Sequence, residues 1–247
     1  MKTHRLTEDY TRAFEVFLAH TTEKEDILAA LTQRIETDAA SSLLDIGAGN
    51  GELAFPLSRL VNTYMAIEPN RKYADRLRGS NFTVFQVPFP WTIYGYLRFA
   101  IVLASHVVPW NETESESFIR AAWKHVNKGG VFMMITYDEE RSEWSDLLQL
   151  SGLPIPEVGQ GRFEGYKKLL ASLGALEVDT ITTYVKTRNL EDMLLALSFV
   201  YGDGKAEAAQ RFCENEIVRR ALEVNYYVKG SYRFPFTHYL LQARKMQ

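Results

Sequence analysis

Apolar positions in the first forty residues recur at spacings of three and four: Phe14, Phe17 and Leu18, then Ile27, Leu28, Leu31 and Ile35. That period predicts two amphipathic helices between about residues 7 and 38. His20-Thr21-Thr22-Glu23 breaks the stretch, with Thr21 or Thr22 placed to cap the second helix. From Ser41 to about Tyr137 the pattern changes to short apolar runs, at Leu43–Ile46, Tyr64–Ile67, Phe82–Phe85, Ala100–Ala104 and Val131–Thr136. Helical segments separate them near Leu53–Leu60, Asn70–Arg78 and Glu114–His125. Near-continuous apolar strands alternating with helices predict a parallel sheet covered on both faces. A helix at Arg162–Leu173, a strand at Leu176–Thr183, a helical insertion from about Leu190 to Leu222 and a last apolar run at Phe236–Gln242 follow.

The expected fold class is therefore α/β, a doubly wound, mostly parallel seven-stranded sheet. No repeat or low-complexity linker interrupts the chain, so residues 1–247 read as one domain. Its parts are an N-terminal helical cap (1–40), a ligand-binding core (41–187), a helical insertion (188–229) and a final strand (230–247). The insertion is expected to belong to a cap over the ligand edge of the sheet.

Composition narrows the class of partner. The net charge of −3 argues against a broad footprint on nucleic acid. The single cysteine, Cys213, rules out an intrachain disulfide, and no Cys/His set has zinc spacing, so no metal is expected. The N-terminus is charged within its first five residues and lacks the apolar segment of a signal peptide, and no apolar run approaches the ~20 residues that span a bilayer. A cytoplasmic enzyme acting on a small molecule, without a membrane partner, is the expectation; the oligomeric state stays open.

The most informative stretch is Leu43-Leu44-Asp45-Ile46-Gly47-Ala48-Gly49-Asn50-Gly51-Glu52. It starts as a buried strand and ends at an amphipathic helix, and ligands of open α/β sheets bind at such carboxyl ends. A dinucleotide turn requires glycine at the first, third and sixth positions, which here are Gly47, Gly49 and Glu52, so the third requirement fails. The Gly-Lys-Ser/Thr of a phosphate loop is absent as well. What is present, acidic-x-Gly-x-Gly-x-Gly from Asp45 to Gly51, resembles motif I of class I, Rossmann-like S-adenosylmethionine-dependent methyltransferases.

That resemblance implies S-adenosylmethionine as the cofactor, with Asp45 facing the methionyl ammonium and Gly47, Gly49 and Gly51 allowing its close approach. Glu68, about twenty residues on at the next strand end, would accept the ribose hydroxyls, with Pro69 beside it. Ser105, closing the fourth strand, is assigned to the same cofactor. Many relatives carry an acid for the adenine after the third strand; Val87-Pro88-Phe89-Pro90-Trp91-Thr92 has none. Apolar walls, backbone groups and Thr92 are expected there instead. Val126-Asn127-Lys128-Gly129-Gly130 resembles the reverse turn that precedes the fifth strand in this superfamily.

The N-terminal run Tyr-x3-Phe-x2-Phe-Leu-x-His-x-Thr-Glu, built from Tyr10, Phe14, Phe17, Leu18, His20, Thr22 and Glu23, resembles the histamine N-methyltransferase family. The likeness extends more loosely through Gly51-Glu52 and Glu68-Pro69 to Trp144 and the final strand. By that resemblance Tyr10, Phe14 and Glu23 line an amine pocket, with Glu23 holding the basic substrate; Trp110, after the fourth strand, is added to them. Read from residues alone, Phe14 and Phe17 are equally core positions of a helix face, and Glu23 an acid at a helix N-terminus. The family's substrate glutamine falls at Ser105 here and its late asparagine near Phe234–Phe236, so a different amine or nitrogen heterocycle is expected rather than histamine. The catalytic candidates are Glu23, which attracts a cationic acceptor, and His106, which is either its base or a packed or solvated histidine. The rival readings are a small-molecule O- or C-methyltransferase, an RNA or protein methyltransferase, and a non-catalytic cofactor-binding subunit.

Overall fold

Successive side chains of a strand point to opposite faces, so an unbroken apolar run needs cover on both. The computed structural model describes residues 12–38, 41–90, 96–109, 112–138, 140–154, 161–202 and 206–246, and it meets that need with helices on each side of a sheet. In chain order the elements are α1 (12–20), α2 (Glu23–Asp38), β1 (Ser42–Ile46), α3 (Ala54–Leu57), β2 (Thr63–Ile67), α4 (Arg71–Arg78), β3 (Thr83–Phe85), β4 (Phe99–Ser105) and α5 (Glu112–Lys124). There follow β5 (Val126–Tyr137), α6 (Glu143–Leu150), α7 (Arg162–Leu173), β6 (Ala175–Thr187), α8 (Leu190–Gly202), α9 (Ala206–Glu214), α10 (Glu216–Asn225), β7 (Tyr227–Val228) and β8 (Ser231–Arg244).

The sheet order is β3-β2-β1-β4-β5-β8-β6, with β7 paired to β8 beside that path. The neighbours from β3 through β5 are parallel, and β8 runs antiparallel to β5 with Tyr137 opposite His238. This is the expected doubly wound seven-stranded sheet plus one short hairpin strand. The chain reverses its winding between β1 and β4, the place where open α/β sheets bind ligands.

Two compact units divide the chain. One takes Lys24–Asp138, Val158–Ile181 and His238–Gln247; the other takes Met1–Glu23, Glu139–Glu157 and Thr182–Thr237. In the first unit, Leu44, Ile46, Val102, Ala104, Phe132 and Met134 pack with α5 and α7. Their immediate neighbours Leu43, Ile101, Leu103, Val131, Met133 and Ile135 pack with α2, α3 and α4 on the opposite face. The second unit has its own core, where Leu147, Leu194, Leu197, Phe212, Leu222 and Phe234 are all buried. Among the described residues no helix is long and apolar enough to cross a membrane.

Local chemistry explains most boundaries. Asn70 caps α4 by accepting from Lys72 N and Tyr73 N, and Thr21 Oγ1 accepts from Glu23 N at the start of α2. Two expectations need correction. The helix expected over Leu53–Leu60 is regular only at Ala54–Leu57, because its bonding tightens to three-residue turns, Arg59 N to Pro56 O and Leu60 N to Leu57 O. The Lys-Gly-Gly segment lies inside β5 rather than before it. Gly129 N donates to Lys245 O and Lys245 N to Gly130 O, so the end of the chain extends the ladder, and β4 is bulged opposite it between Phe99 and Ile101. The late insertion is helical as expected, in three helices, α8 to α10.

Arg34 of α2, Asp179 of β6 and Gln242 of β8 form a small network: Asp179 Oδ2 accepts from Arg34 Nη2 at 2.5 Å and from Gln242 Nε2 at 2.7 Å. Both Arg34 and Asp179 are over a third exposed, which limits the ion pair, but Gln242 is buried. Asp179→Ala is expected to cost about 1–2 kcal/mol, mostly from the stranded Gln242 amide. A denaturant titration reads this as a lowered midpoint with unchanged slope.

Candidate active site

β1 delivers Asp45 in phase with Leu43, on the α2 side of the sheet, and then turns through three glycines. Gly47, Gly49 and Gly51 have φ of 78°, 58° and 91°, all in the left-handed region that costs a side chain energy. At two of them space forbids one as well. A Cβ on Gly47 would lie 2.4 Å from Val107 Cγ1, and one on Gly51 would lie 2.4 Å from Phe55 Cε2. The turn after β1 thus abuts the loop after β4, at the point where the winding reverses.

The strand-end acid of β2 is built into that turn. Glu68 is 5% exposed, and its Oε2 accepts from Gly49 N at 2.7 Å while Oε1 accepts from Asn70 N at 2.7 Å. Each carboxylate oxygen has a second lone-pair direction, so two hydroxyls can join without displacing either backbone donor. Pro69 beside it is exposed.

Asp45 is 3% exposed, and Tyr64 Oη donates to its Oδ2 at 2.5 Å. Burial pushes the Asp45 carboxyl from 3.8 up to about 6, against the pull of that hydrogen bond, with Glu68 adding a smaller push and Lys24 a smaller pull. Burial and the adjacent carboxylate raise the Tyr64 phenol well above its ordinary range, so it donates at any physiological pH. Sequence reasoning missed Tyr64. Its signal was faint: an aromatic with a polar tip, one strand over from the motif acid. A cavity of about 390 Å³ lined by Arg59, Asn62, Tyr64, Asn81 and Phe82 opens at the amino ends of β2 and β3, away from the glycine turn. It is not the ligand crevice.

β4 ends in Ser105, and His106 follows it. The Ser105 hydroxyl oxygen is buried and has no hydrogen-bond partner, and such an atom costs about 1–3 kcal/mol unless something binds it. Together with the glycine-rich backbone turn and a carboxylate with open lone pairs, it makes a set of donors and acceptors suited to an amino-acid nucleoside. His106 holds φ of 55°, donates its backbone N–H to Ile135 O, and stacks on Tyr137 with ring centroids 4.5 Å apart. Its Nε2 lies 3.2 Å from Nδ1 of His238, which is fully buried. His238 was not foreseen, although it falls in phase with Phe234, Phe236 and Leu240 on the buried side of β8, where a polar side chain needs a partner.

After β3, Val87 and Phe89 pack against the α5–α7 side of the core, and the Phe89 ring meets Phe118 edge-on at 4.9 Å. The described residues after β3 thus turn apolar side chains toward the core and include no acid. Thr92, Tyr10 and Trp110 lie outside the described residues. In the second unit Phe14 is 37% exposed and meets Phe199 at a tilt with centroids 4.9 Å apart, and Phe17 contacts both Phe199 and Phe236. Phe17 is thus a core ring, whereas Phe14 keeps a free edge. Glu23 is 8% exposed, more buried than a helix-end acid usually is.

Comparisons with known proteins bear on the family and the fold. The model of a methyltransferase-domain family matches residues 18–196. No curated protein sequence matches the chain. Among solved structures, the YcgJ protein of Bacillus subtilis superposes with a TM-score of 0.59 at 14% identity, covering 89% of this chain and 98% of its own. The plantazolicin methyltransferase BpumL, solved with S-adenosylhomocysteine, gives 0.53 at 9% identity over 99% of this chain and 90% of its own. The N-methyltransferase NodS of Bradyrhizobium japonicum gives 0.51 at 12% identity over 91% and 98%. At these identities the likeness is one of fold.

Proposed function

Since the chain belongs to the methyltransferase-domain family, we propose that it methylates a nitrogen of a small amine or nitrogen heterocycle, with S-adenosylmethionine as donor. When bound, that cofactor supplies an electrophilic methyl on a sulfonium. In this reading Asp45 faces its ammonium, Glu68 its ribose, the backbone of Gly47–Gly51 lies against it, and Ser105 donates to it. The chain's remaining tasks are to align the acceptor, exclude water and present a lone pair, and positioning alone supplies several kcal/mol of barrier reduction. Tyr10, Phe14, Glu23 and Trp110 are assigned to the acceptor, with Glu23 attracting its cation and His106 taking its proton. The observation that carries the reading is the His106 imidazole, held in a strained backbone conformation at the β4 exit beside the orphaned Ser105 hydroxyl. The same scaffold carries N-methylation in NodS.

The test is a panel of aliphatic amines, aromatic nitrogen heterocycles, phenols, carboxylates and RNA, each incubated with protein and a methyl-labelled donor. Label on nitrogen in the first two classes, dependent on Glu23 and His106, is expected. Label on phenol oxygen would move the assignment to O-methylation, where the same base serves. Label on RNA alone would sink the small-molecule reading.

A further inference from the structure

Small-molecule sites are concave, with volumes of about 300–1,000 Å³, apolar walls and a few convergent polar groups. The cavity of about 390 Å³ at the amino ends of β2 and β3 has that size, and no residue assigned to the cofactor or the acceptor lines it. Its walls are rings: Tyr64 meets Phe82 with centroids 4.8 Å apart, and Phe55 meets Phe82 at 6.3 Å. Its rim is polar. Arg59, Asn62 and Asn81 are exposed there, and among the described residues their side chains have no hydrogen-bond or ion-pair partner. The carbonyl end of α4 also reaches the cavity, at Gly79, but Arg76 and Arg78 in its last turn answer that partial negative charge. Among the described lining residues Arg59 alone carries a charge. A planar acid matches this lining, its ring against the aromatic walls and its carboxylate in the guanidinium fork.

The cavity opens away from the glycine turn, yet two of its walls end at that turn. Tyr64 Oη donates to Asp45 Oδ2, and the Phe55 ring fills the space that a side chain on Gly51 would need. The hydrogen bond from Tyr64 pulls the Asp45 carboxyl toward its ionised form, which is the form that meets an ammonium. We propose that the cavity is a second binding site, for a small aromatic carboxylate, and that its occupant tightens cofactor binding by holding Tyr64 on Asp45. The coupling rests on the reading of Asp45 as the partner of the cofactor's ammonium; the binding site itself does not. Bound cofactor must tighten the carboxylate by the same factor, because coupling between two sites is reciprocal.

The experiment titrates the full chain with 2-naphthoate and with 2-naphthamide, which keeps the rings but carries no charge. It then repeats the S-adenosylmethionine titration in saturating 2-naphthoate. Expected is binding of 2-naphthoate to wild type, about tenfold weaker or more in Arg59→Ala and for 2-naphthamide, with amide-spectrum shifts at Asn62 and Asn81. Saturating 2-naphthoate should lower the cofactor Kd by about fivefold or more. Arg59→Ala should bind cofactor alone as wild type does. Tyr64→Phe keeps the wall ring without its hydroxyl, and should bind 2-naphthoate while losing the coupling. No binding of 2-naphthoate to wild type, binding indifferent to Arg59→Ala, an unchanged cofactor Kd, or a coupling that survives in Tyr64→Phe would overturn the proposal. A wild type that binds no S-adenosylmethionine would count against the cofactor reading, and the Arg59→Ala comparison would still decide the site.

Discussion

Glu68→Ala is expected to weaken S-adenosylmethionine binding at least a hundredfold. The carboxylate would serve four donors at once. Two are backbone N–H groups, of Gly49 and Asn70, each at 2.7 Å; the other two are the ribose hydroxyls of the cofactor. Hydrogen bonds to a charged group contribute about 1.5–3 kcal/mol each, so losing the two hydroxyl contacts alone accounts for the hundredfold. The backbone bonds add a second effect, since without them the glycine turn loses its tie to the end of β2. Glu68→Gln keeps one acceptor oxygen and should fall between. Calorimetric titration with S-adenosylmethionine and S-adenosylhomocysteine reads all three proteins. Wild-type affinity in a folded Glu68→Ala would remove Glu68 from the site.

The second large effect is a pH dependence set by Asp45. Its carboxyl is raised from 3.8 to about 6 by burial, so between those values the folded protein holds a proton that the unfolded chain releases. Stability without cofactor therefore falls as pH rises through that window, by about 3 kcal/mol in all. Cofactor binding runs the other way, because its ammonium needs the ionised carboxylate. Affinity should drop about tenfold for each pH unit below 6 and level off above it. Asp45→Asn keeps an oxygen for the Tyr64 hydroxyl and cannot ionise. It should raise the melting temperature at pH 7.5, bind cofactor weakly, and show no pH trend between 5 and 8. A flat wild-type profile over that range would mean that Asp45 does not meet the ammonium.

Some of the site was legible because it is written in neighbouring residues. Asp45, Gly47, Gly49 and Gly51 form one local turn, and Asn70 caps the helix that starts beside it. Arg162–Leu173 is bounded as its apolar spacing implied, with a glycine before and after. Errors came where local pattern is ambiguous. Helix α6 was overlooked although Ser142 caps it by accepting from Ser145 N, because its eight residues are too few for a clear period. The two residues of β7 carry no pattern at all.

Alternation along the chain is thus enough to determine this protein's parallel sheet, its two covered faces and the glycine turn that closes β1, since period, glycine content and capping are properties of adjacent residues. The pairs that give the site its chemistry are of another kind. Tyr64 reaches Asp45 across 19 positions, and His238 reaches His106 across 132. Only strand order and register bring them together: β2 beside β1 places the phenol on the buried acid, and β8 antiparallel to β5 places His238 opposite Tyr137 and against the exit of β4. Burial by the finished sheet then decides what those groups do, raising one carboxyl toward neutrality and setting a fully buried imidazole against a half-buried one.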